Sequence, residues 1–333
     1  MLDRSGCTTW AGIRAWARRC LASRSPSSRI VGVLFFTVLA LFAVSSIAAV
    51  GSNWWPSLEA FGNLQVHIAA GCAAVTLVAL LARFRGWAAA GLVLLLVNGV
   101  SLGLRSASVS VCPVESAAAG QVAVRIMTHN ILHTNHDFES FRRVVEAQRP
   151  DVIFLAETRP FHNEWFDKLR SQYPYRANCD VYQQCGVAIL SRYPLEKGHE
   201  LGGDDVMVLK TIVSVGEHKL TFLGTYIVQP FPGQGQSWEF RALTRIISMQ
   251  PSDAVLVGDF NSVPWSPHMS HFIAAAGVCT ANLTHATFPG RFGPFGLPID
   301  QVFLKPDVGL LNIQTVGGTG SDHKALLATV SIR

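Results

Sequence analysis

The sequence predicts an α/β layered sandwich of one domain that follows three apolar, membrane-crossing helices. The 333 residues are 49% hydrophobic and only 15% charged, and the mean hydropathy is positive. This balance is too apolar for an ordinary soluble domain. The apolar excess lies before residue 105, whereas strand-like and helix-like segments alternate from residue 121 to the end. Alternation of that kind is typical of α/β domains.

Three uncharged runs lie near the N-terminus, at residues 30–50, 64–82 and 87–104. The first is long enough to cross roughly 30 Å of hydrocarbon as a helix. A cleaved signal peptide would account for at most this run, whose apolar stretch is too long for one. Helices buried in a soluble domain are the alternative, but uncharged runs of this length are rare there. We therefore expect residues 30–105 to form three transmembrane helices in a lipid bilayer.

Lys and Arg near the helix ends predict the orientation, because basic segments stay in the cytoplasm. Arg83 and Arg85 lie between the second and third runs, whereas the loop at 51–63 has no basic residue and carries Trp54 and Trp55, which suit a membrane interface. Six arginines precede the first run: Arg4, Arg14, Arg18, Arg19, Arg24 and Arg29. We expect residues 1–29 in the cytoplasm and the chain after residue 105 outside it. In a bacterium this means the inner (plasma) membrane, with the domain in the periplasm or at the cell exterior.

Residues 106–120 are small and polar and are interpreted as a linker to a domain at 121–333. Cys179 and Cys185 of that domain bracket a short stretch, so a disulfide between them is plausible in an oxidising compartment, with two free thiols as the alternative. No Cys or His spacing typical of a zinc site is visible. The predicted exported part holds four of the seven cysteines: Cys112, Cys179, Cys185 and Cys279.

The first half of the domain is predicted to contain a βαβ unit. VAVRIMTHNI and DVIFLAET are its strands, and DFESFRRVVEAQ is its helix, with apolar side chains on one face at positions 138, 141, 144 and 145. FHNEWFDKLRSQ predicts a further helix and GVAILS a short buried strand.

The second half is predicted to start with a β-hairpin, in which VMVLKTIVSVGEHKLTFLGTYIV turns at Gly216 and Glu217. A helix over SWEFRALTRIISM leads into the strand DAVLVGDF, and SPHMSHFIAAAG predicts another helix. IDQVFL, VGLLNIQTV and HKALLATVSI are the closing strands. Strands mixed with covering helices indicate one layered domain.

Polar side chains recur at the C-terminal ends of these apolar strands. Because strand ends at one edge of a sheet sandwich converge, we expect them to form one cluster. Carboxylate and amide oxygens suit a hard cation such as Mg²⁺, which together with a His and an activated water can attack a phosphorus centre. Asp and Asn after a strand are also common turn residues. The residues are Asn130, Glu157, Tyr226, Asp259, Asn261, Asp300, Asp322 and His323.

Six short motifs, in order and spread over nearly all of residues 121–333, resemble those of the endonuclease/exonuclease/phosphatase superfamily: THNI, AET, GVAILSR, GDFN, PIDQVF and SDHKAL. The resemblance implies the four-layer α/β sandwich of DNase I-like proteins and hydrolysis of phosphate esters with Mg²⁺ or Mn²⁺. Three helices before such a domain are similar to the architecture of a membrane-anchored bacterial subgroup.

The resemblance also implies a metal site. Glu157 matches the metal-ligating Glu of the superfamily. Asn130 lies in the position that supports the metal and the catalytic Asp, and Asp322 matches an Asp near the metal.

Catalytic roles are implied in the same way. Asp259 matches the Asp that orients or deprotonates the attacking water, and Asn261 the Asn that holds phosphate and water. His323 matches the His that hydrogen-bonds the phosphoryl oxygen, and Asp300 the carboxylate that orients this His. Tyr226 stands where many members have a second His.

Other residues carry weaker signals. Gln301 departs from the His or Tyr that relatives often have at its position. Arg159 could bind phosphate as a bidentate donor, or could be a solvated surface residue. Phe288 is a candidate floor of the substrate cleft, although an aromatic there is more often part of a core. His129, His133 and His136 cluster near Asn130, but they are interpreted as loop residues rather than ligands.

Net charge bears on the substrate. Residues 121–333 contain 18 Lys and Arg against 19 Asp and Glu, so the domain has no basic excess to track a nucleic-acid backbone. We expect a small or lipid-linked phosphate ester; nucleic acid is possible but not favoured, and no obligate protein partner is evident. A membrane-tethered nuclease and a catalytically silent binding or signalling protein are the alternatives.

Overall fold

The computed structural model describes residues 26–118, 120–178, 186–231 and 235–332. The described chain divides into two compact units, residues 26–48 with 65–99 and residues 49–64 with 100–332. The predicted Cys179–Cys185 disulfide lies outside the described residues.

The apolar runs form helices α1 (Pro26–Gly51), α3 (Gln65–Leu81) and α4 (Arg85–Ser106), and a short α2 (Glu59–Asn63) precedes α3. Within the first unit, the buried amide of Asn98 donates from Nδ2 to the Ser46 hydroxyl at 2.8 Å. Buried polar groups of this kind require such partners.

The expectation of three membrane-crossing helices is corrected to two clear ones. Ile30–Gly51 and Arg85–Ser106 are long and apolar enough to cross a membrane. The second run forms only the 17-residue helix α3, about 26 Å long at 1.5 Å per residue and so shorter than the hydrocarbon layer. It becomes a third candidate span only together with Pro56–Asn63, across a bend of 55°.

The second unit contains two six-stranded mixed sheets. The strands are β1 (Val122–Asn130), β2 (Val152–Ala156), β3 (Tyr175–Asn178), β4 (Val187–Ser191), β5 (His199–Leu201), β6 (Val208–Val215), β7 (His218–Tyr226), β8 (Ala254–Asp259), β9 (Cys279–Thr280), β10 (Asp300–Leu304), β11 (Gly309–Val316) and β12 (Ala325–Ile332). In the first sheet the order is β11-β12-β1-β2-β4-β3, and in the second it is β5-β6-β7-β8-β10-β9.

The two sheets pack face to face. Buried side chains of both, such as Ile126 and Phe154 from the first and Phe222 and Val257 from the second, form one shared core. Helices α5 (Phe138–Gln148) and α6 (Asn163–Lys168) cover the outer face of the first sheet, and α7 (Gly235–Ser248) and α8 (Pro267–Ala276) cover that of the second. The result is the helix–sheet–sheet–helix arrangement that the resemblance implied.

Most predicted elements are present, and the differences are local. The hairpin β6–β7 turns at Gly216, whose φ of +62° favours glycine. The helix predicted over residues 161–172 is shorter, because a 3₁₀ turn (Pro160–His162) precedes the six-residue α6. Strands β3, β5 and β9 have two to four residues, too few for a readable alternation.

The segment predicted as a linker pairs with the sandwich. Val111 forms an isolated bridge with Thr280, and the Cys112 amide donates to the Thr280 carbonyl at 2.9 Å. Cys112 and Cys279 form a disulfide across a sequence separation of 167 residues. The cysteine pair seen in the described residues is therefore a different one from the pair that the sequence suggested.

Candidate active site

Strand register brings three of the predicted residues side by side in the second sheet. On neighbouring strands β7, β8 and β10, Tyr226 pairs with Asp259 and Asp259 pairs with Asp300. The expectation that all these residues follow strand C-termini is corrected here, because Asp300 begins β10. It reaches the same edge since β10 runs antiparallel to β8.

The first sheet supplies its residues at the same edge. Asn130 ends β1, and Glu157 directly follows β2. Strand β12 runs antiparallel to β1, so His323, two residues before β12, also lies there although it precedes a strand. The convergence predicted from strand ends is thus present, with both strand directions contributing.

The Asn130 amide joins the two sheets. Its Nδ2 donates to Glu157 Oε1 at 2.9 Å and to Asp259 Oδ2 at 2.9 Å, and its Oδ1 accepts from the Leu132 amide at 3.0 Å. Every polar atom of this buried side chain is therefore used. As placed, Asn130 holds two carboxylates at a fixed separation rather than offering its own oxygen to a metal.

Glu157 is the most solvent-accessible carboxylate in contact with this network, with 19% of its side chain exposed. Its Oε2 accepts from the His133 amide at 3.1 Å and lies 2.8 Å from His133 Nδ1. Burial alone would raise the pKa of Glu157, but hydrogen bonds from Asn130 and His133 outweigh burial and lower the pKa. Glu157 is therefore held as a carboxylate.

Asp259, Asp300 and His323 form a buried group. His323 Nδ1 lies 2.8 Å from Asp300 Oδ2, and His323 Nε2 lies 3.9 Å from Asp259 Oδ2. Asp259 and Asp300 are 1% and 0% exposed. The ring therefore stands between two carboxylates, with one nitrogen held by Asp300 and the other directed toward Asp259.

Burial and the charge of Asp300 both raise the pKa of Asp259. Burial alone would lower the pKa of His323, but Asp300, with Asp259 and Asp322, raises it to about 9. At neutral pH the imidazole is thus a charged donor, and the Asp259 carboxyl group has an unusually high proton affinity. Such a pair is suited to general acid and general base work.

Two residues of the site have left-handed backbones that side chains rarely adopt. Glu157 has φ +57° and Asn261 has φ +47°. The Asn261 amide donates to Asp259 Oδ1 at 2.9 Å, and its side-chain Nδ2 donates to the Ile227 carbonyl at 2.9 Å. The backbone of Asn261 thus helps to orient the Asp259 carboxylate.

Gly258, just before Asp259, shows why the GDFN motif begins with glycine. Its φ is +152°, and a Cβ there would lie 1.9 Å from the Thr225 carbonyl oxygen. No side chain fits this close approach of β7 and β8.

Three of the remaining predicted residues, Tyr226, Phe288 and Asp322, contact this cluster or act on its charges. The Tyr226 hydroxyl donates to Glu157 Oε1 at 3.3 Å, and burial with the nearby carboxylates raises the pKa of Tyr226. The Phe288 ring lies 4.7 Å from the His323 ring, centroid to centroid. Asp322 is exposed, and its charge contributes to the high pKa of His323. Arg159 is exposed, and its backbone amide donates to His162 Nδ1 at 2.9 Å.

Two contacts of the site escaped the sequence analysis. His133 lies in a loop, as predicted, and it also binds Glu157 through its backbone and its ring. His129, predicted as a loop residue, is instead buried within β1. Ser321 donates to the Asn130 carbonyl at 2.7 Å and accepts from the His323 amide at 3.0 Å, which ties the His323 loop to β1. The spacing of His133, three residues after Asn130, was the available signal.

The donor chemistry fits a hard divalent cation at Glu157. Asp259, Asp300 and His323 could together offer three ligand atoms within 4.8 Å. A charged imidazole is not a ligand, however, and this group is almost fully buried. Glu157 is ionised and partly open to solvent, and exposed Asp322 is the other candidate carboxylate. These are the oxygen ligands that Mg²⁺ or Mn²⁺ prefers.

A model of the Endonuclease/Exonuclease/phosphatase family matches residues 127–323, more than half of the chain. No curated protein matches.

Solved structures share the fold. A humanized TDP2 of D. rerio is 19% identical, with a TM-score of 0.51, over 62% of this chain and 98% of that one. D. rerio TDP2 complexed with single strand DNA product is 18% identical, with a TM-score of 0.51 and the same coverage. The endonuclease/exonuclease/phosphatase from Beutenbergia cavernae DSM 12333 is 19% identical, with a TM-score of 0.52, over 63% of this chain and 72% of that one.

The fold, the strand-edge cluster and the family match agree. The matched range begins within β1 and ends at His323, so it includes Asn130, Glu157, Asp259 and Asp300. Members of the family are metal-dependent phosphodiesterases, nucleases or phosphatases. This chain belongs to the endonuclease/exonuclease/phosphatase family and is a metal-dependent hydrolase of phosphate esters.

Proposed function

We propose that this protein is a membrane-anchored phosphoesterase that hydrolyses a small or lipid-linked phosphate ester outside the cytoplasm. One observation carries the chemical part of the proposal. Asp259 accepts hydrogen bonds from Asn130 and Asn261 and faces the charged ring of His323, at an edge where Glu157 is held ionised. A water-activating carboxylate, a charged donor and a metal ligand thus share one small site.

The protonation states of Asp259 and His323 suggest a different catalytic role for each residue. Asp259, with its raised pKa, takes a proton from the attacking water, and Asn130 and Asn261 fix the direction of its carboxylate. His323, kept charged by Asp300, donates to the phosphoryl oxygen on which charge develops. A divalent ion held by Glu157, with Asp322 nearby, would supply Lewis-acid stabilisation of that charge when bound.

Aromatic side chains beside His323 support an apolar or lipid-linked substrate. Phe288 packs on the His323 ring, and the 3₁₀ segment that follows (Gly290–Phe295) exposes Phe292 by 52% and Phe295 by 76%. The Gly290 amide donates to the Asp322 carbonyl at 2.6 Å, which keeps this segment at the site. Exposed aromatics next to a catalytic group favour substrates with an apolar portion.

The membrane and orientation parts rest on composition. Two helices suited to cross a membrane precede the domain, and we propose that the shorter α3 forms the third span, with local thinning of the bilayer to match its length. Three spans with a basic cytoplasmic N-terminus put residues after 105 outside. The Cys112–Cys279 disulfide is consistent with an oxidising compartment such as the periplasm of a bacterium.

Metal dependence and substrate class can be tested together. The full-length protein in detergent should lose hydrolysis in EDTA and regain it with Mg²⁺ or Mn²⁺, because the candidate ligands are oxygens. A panel of phospholipids, phosphoinositides, bis(4-nitrophenyl) phosphate, DNA and RNA should show greatest turnover on a small or lipid-linked ester. Activity that survives thorough chelation would contradict the site, and greatest turnover on DNA or RNA would make the protein a tethered nuclease.

Asp259→Asn should reduce kcat by at least roughly 10²-fold, because a general base contributes about 10²–10⁴ in rate. Burial disfavours the charge that this change removes, so the melting temperature should stay close to that of the wild type. The matched control is Asp253→Asn, just before the first residue of the same strand, where the carboxylate accepts from the Thr221 hydroxyl. If Asp259→Asn kept activity within about threefold of Asp253→Asn, then Asp259 would be a turn residue only.

Asp300→Asn should shift the alkaline limb of the kcat/KM profile to lower pH. Asp300 is the main group that raises the pKa of His323, so its neutralisation lowers that pKa and deprotonates the donor earlier as pH rises. Stopped assays across pH 6–10 measure this directly. Asp307→Asn, which neutralises an exposed carboxylate, should leave the limb in place. If the alkaline limb does not shift in Asp300→Asn, the pKa that defines this limb does not belong to His323.

The orientation predicts the redox state of the cysteines in cells. Intact cells are treated with N-ethylmaleimide before lysis, so that free thiols are blocked and cannot form disulfides afterwards. Peptide maps of the full-length protein should then show Cys112 joined to Cys279. Cys112→Ser provides the control in which the joined peptide must disappear. Recovery of both cysteines alkylated would contradict an extracytoplasmic domain.

A further inference from the structure

The segment between the first and second apolar runs, which the sequence analysis describes as a loop, carries buried polar side chains. Within the second unit, residues 52–63 contain a 3₁₀ turn (Pro56–Leu58) and α2. We name residues 52–63 the interhelical segment. Glu59 is 0% exposed and Asn63 is 4% exposed. A Cβ on Gly62 would lie 3.3 Å from Pro267 Cδ, so the segment approaches α8 closely.

Asn63 binds the loop that carries Asn261. Its Nδ2 donates to the Asn261 carbonyl at 3.2 Å, and its Oδ1 accepts from the Val263 amide at 3.1 Å and the Ser262 hydroxyl at 3.3 Å. One amide thus satisfies backbone groups on both sides of Ser262. Few side chains other than Asn present a donor and an acceptor at this spacing.

Glu59 extends the contact toward α8. Its Oε1 accepts from the His268 amide at 3.3 Å and lies 3.4 Å from the Ser262 hydroxyl, whose single hydrogen it shares with Asn63 Oδ1. Ser262 and Ser266 share a hydrogen bond of 2.6 Å. The loop between Asn261 and α8 therefore rests on two buried polar side chains of the interhelical segment.

This loop has a particular need for external contacts. Asn261 has φ +47°, a conformation that persists only when its surroundings hold it. Its carbonyl accepts from Asn63 on one side and from Gln236 Nε2, at 3.2 Å, on the other. Its amide in turn donates to Asp259 Oδ1. A continuous path of hydrogen bonds joins Asn63 to the carboxylate that activates water.

We propose that Asn63, supported by Glu59, is a positioning residue for catalysis: it holds the Asn261 backbone that orients Asp259. The proposal deepens the proposed phosphoesterase function and rests on it. It also makes the interhelical segment part of the active-site support, although more than 190 residues separate Asn63 from Asn261 in sequence.

Asn63→Ala in the full-length protein, in detergent with Mg²⁺ and bis(4-nitrophenyl) phosphate, should lower kcat by roughly 10- to 10²-fold, the scale of a misplaced catalytic group. KM should stay within about twofold, since Asn63 does not face the substrate. Hydrogen–deuterium exchange should accelerate at the amide of Val263, which loses its acceptor.

Asn53→Ala is the matched control, because Asn53 lies in the same segment but bonds to Val50 and Arg105 rather than to the Asn261 loop. It should change neither kcat nor Val263 exchange. If Asn63→Ala does not fold, Asn63→Ser takes its place, since it retains a polar atom, and should show the same losses.

The two readouts distinguish failures. An active wild type whose Asn63→Ala variant keeps kcat within about threefold of Asn53→Ala would overturn the proposal. An inactive wild type would instead contradict the proposed function on this diester. In that case, hydrogen–deuterium exchange at the Val263 amide tests the positioning role of Asn63. Unchanged protection in Asn63→Ala would overturn this role, and faster exchange would support it.

Discussion

The active site depends on one side-chain amide that bridges two sheets. Asn130 ends a strand of the first sheet and donates both to Glu157, beside it, and to Asp259, on the second sheet. Packing of apolar faces brings the sheets together but does not specify the separation of two carboxylates. The amide does so, because both of its donors and its oxygen are used inside the protein. The carboxylate proposed to bind the metal and the carboxylate proposed to activate water are thereby held at one separation.

Two buried carboxylates are tolerated here because a charged ring lies between them. Asp259 and Asp300 would repel each other in a medium that screens charge poorly. The His323 imidazolium is within 2.8 Å of one and 3.9 Å of the other and offsets that repulsion. The two carboxylates keep the ring charged, whereas burial and the charge of Asp300 raise the pKa of Asp259 against the opposing effect of the ring.

The sequence predicted what depends on short motifs and local periodicity. Tyr226, Asp259 and Asp300 were found from polar residues and motifs beside apolar strands, and the register of β7, β8 and β10 explains why they meet. The Cys112–Cys279 pair depends on a contact across 167 residues, which no local pattern encodes. Asn63 was missed for a similar reason, because its partners lie 198 to 200 residues later in the chain. In addition, the region around Asn63 was interpreted as membrane helices with a connecting loop, apart from the catalytic domain.

The disulfide at the start of the domain closes most of the chain into a covalent ring. Cys112 lies before β1 and Cys279 begins β9, so the ring includes β1 to β8 and the helices among them. A protease that cuts once anywhere between these cysteines produces two pieces that remain attached to each other. The piece with the N-terminal helices would retain the other, which carries Asp300 and His323. In an environment rich in proteases, a nicked molecule would therefore keep all of its chemical groups in one covalently joined particle.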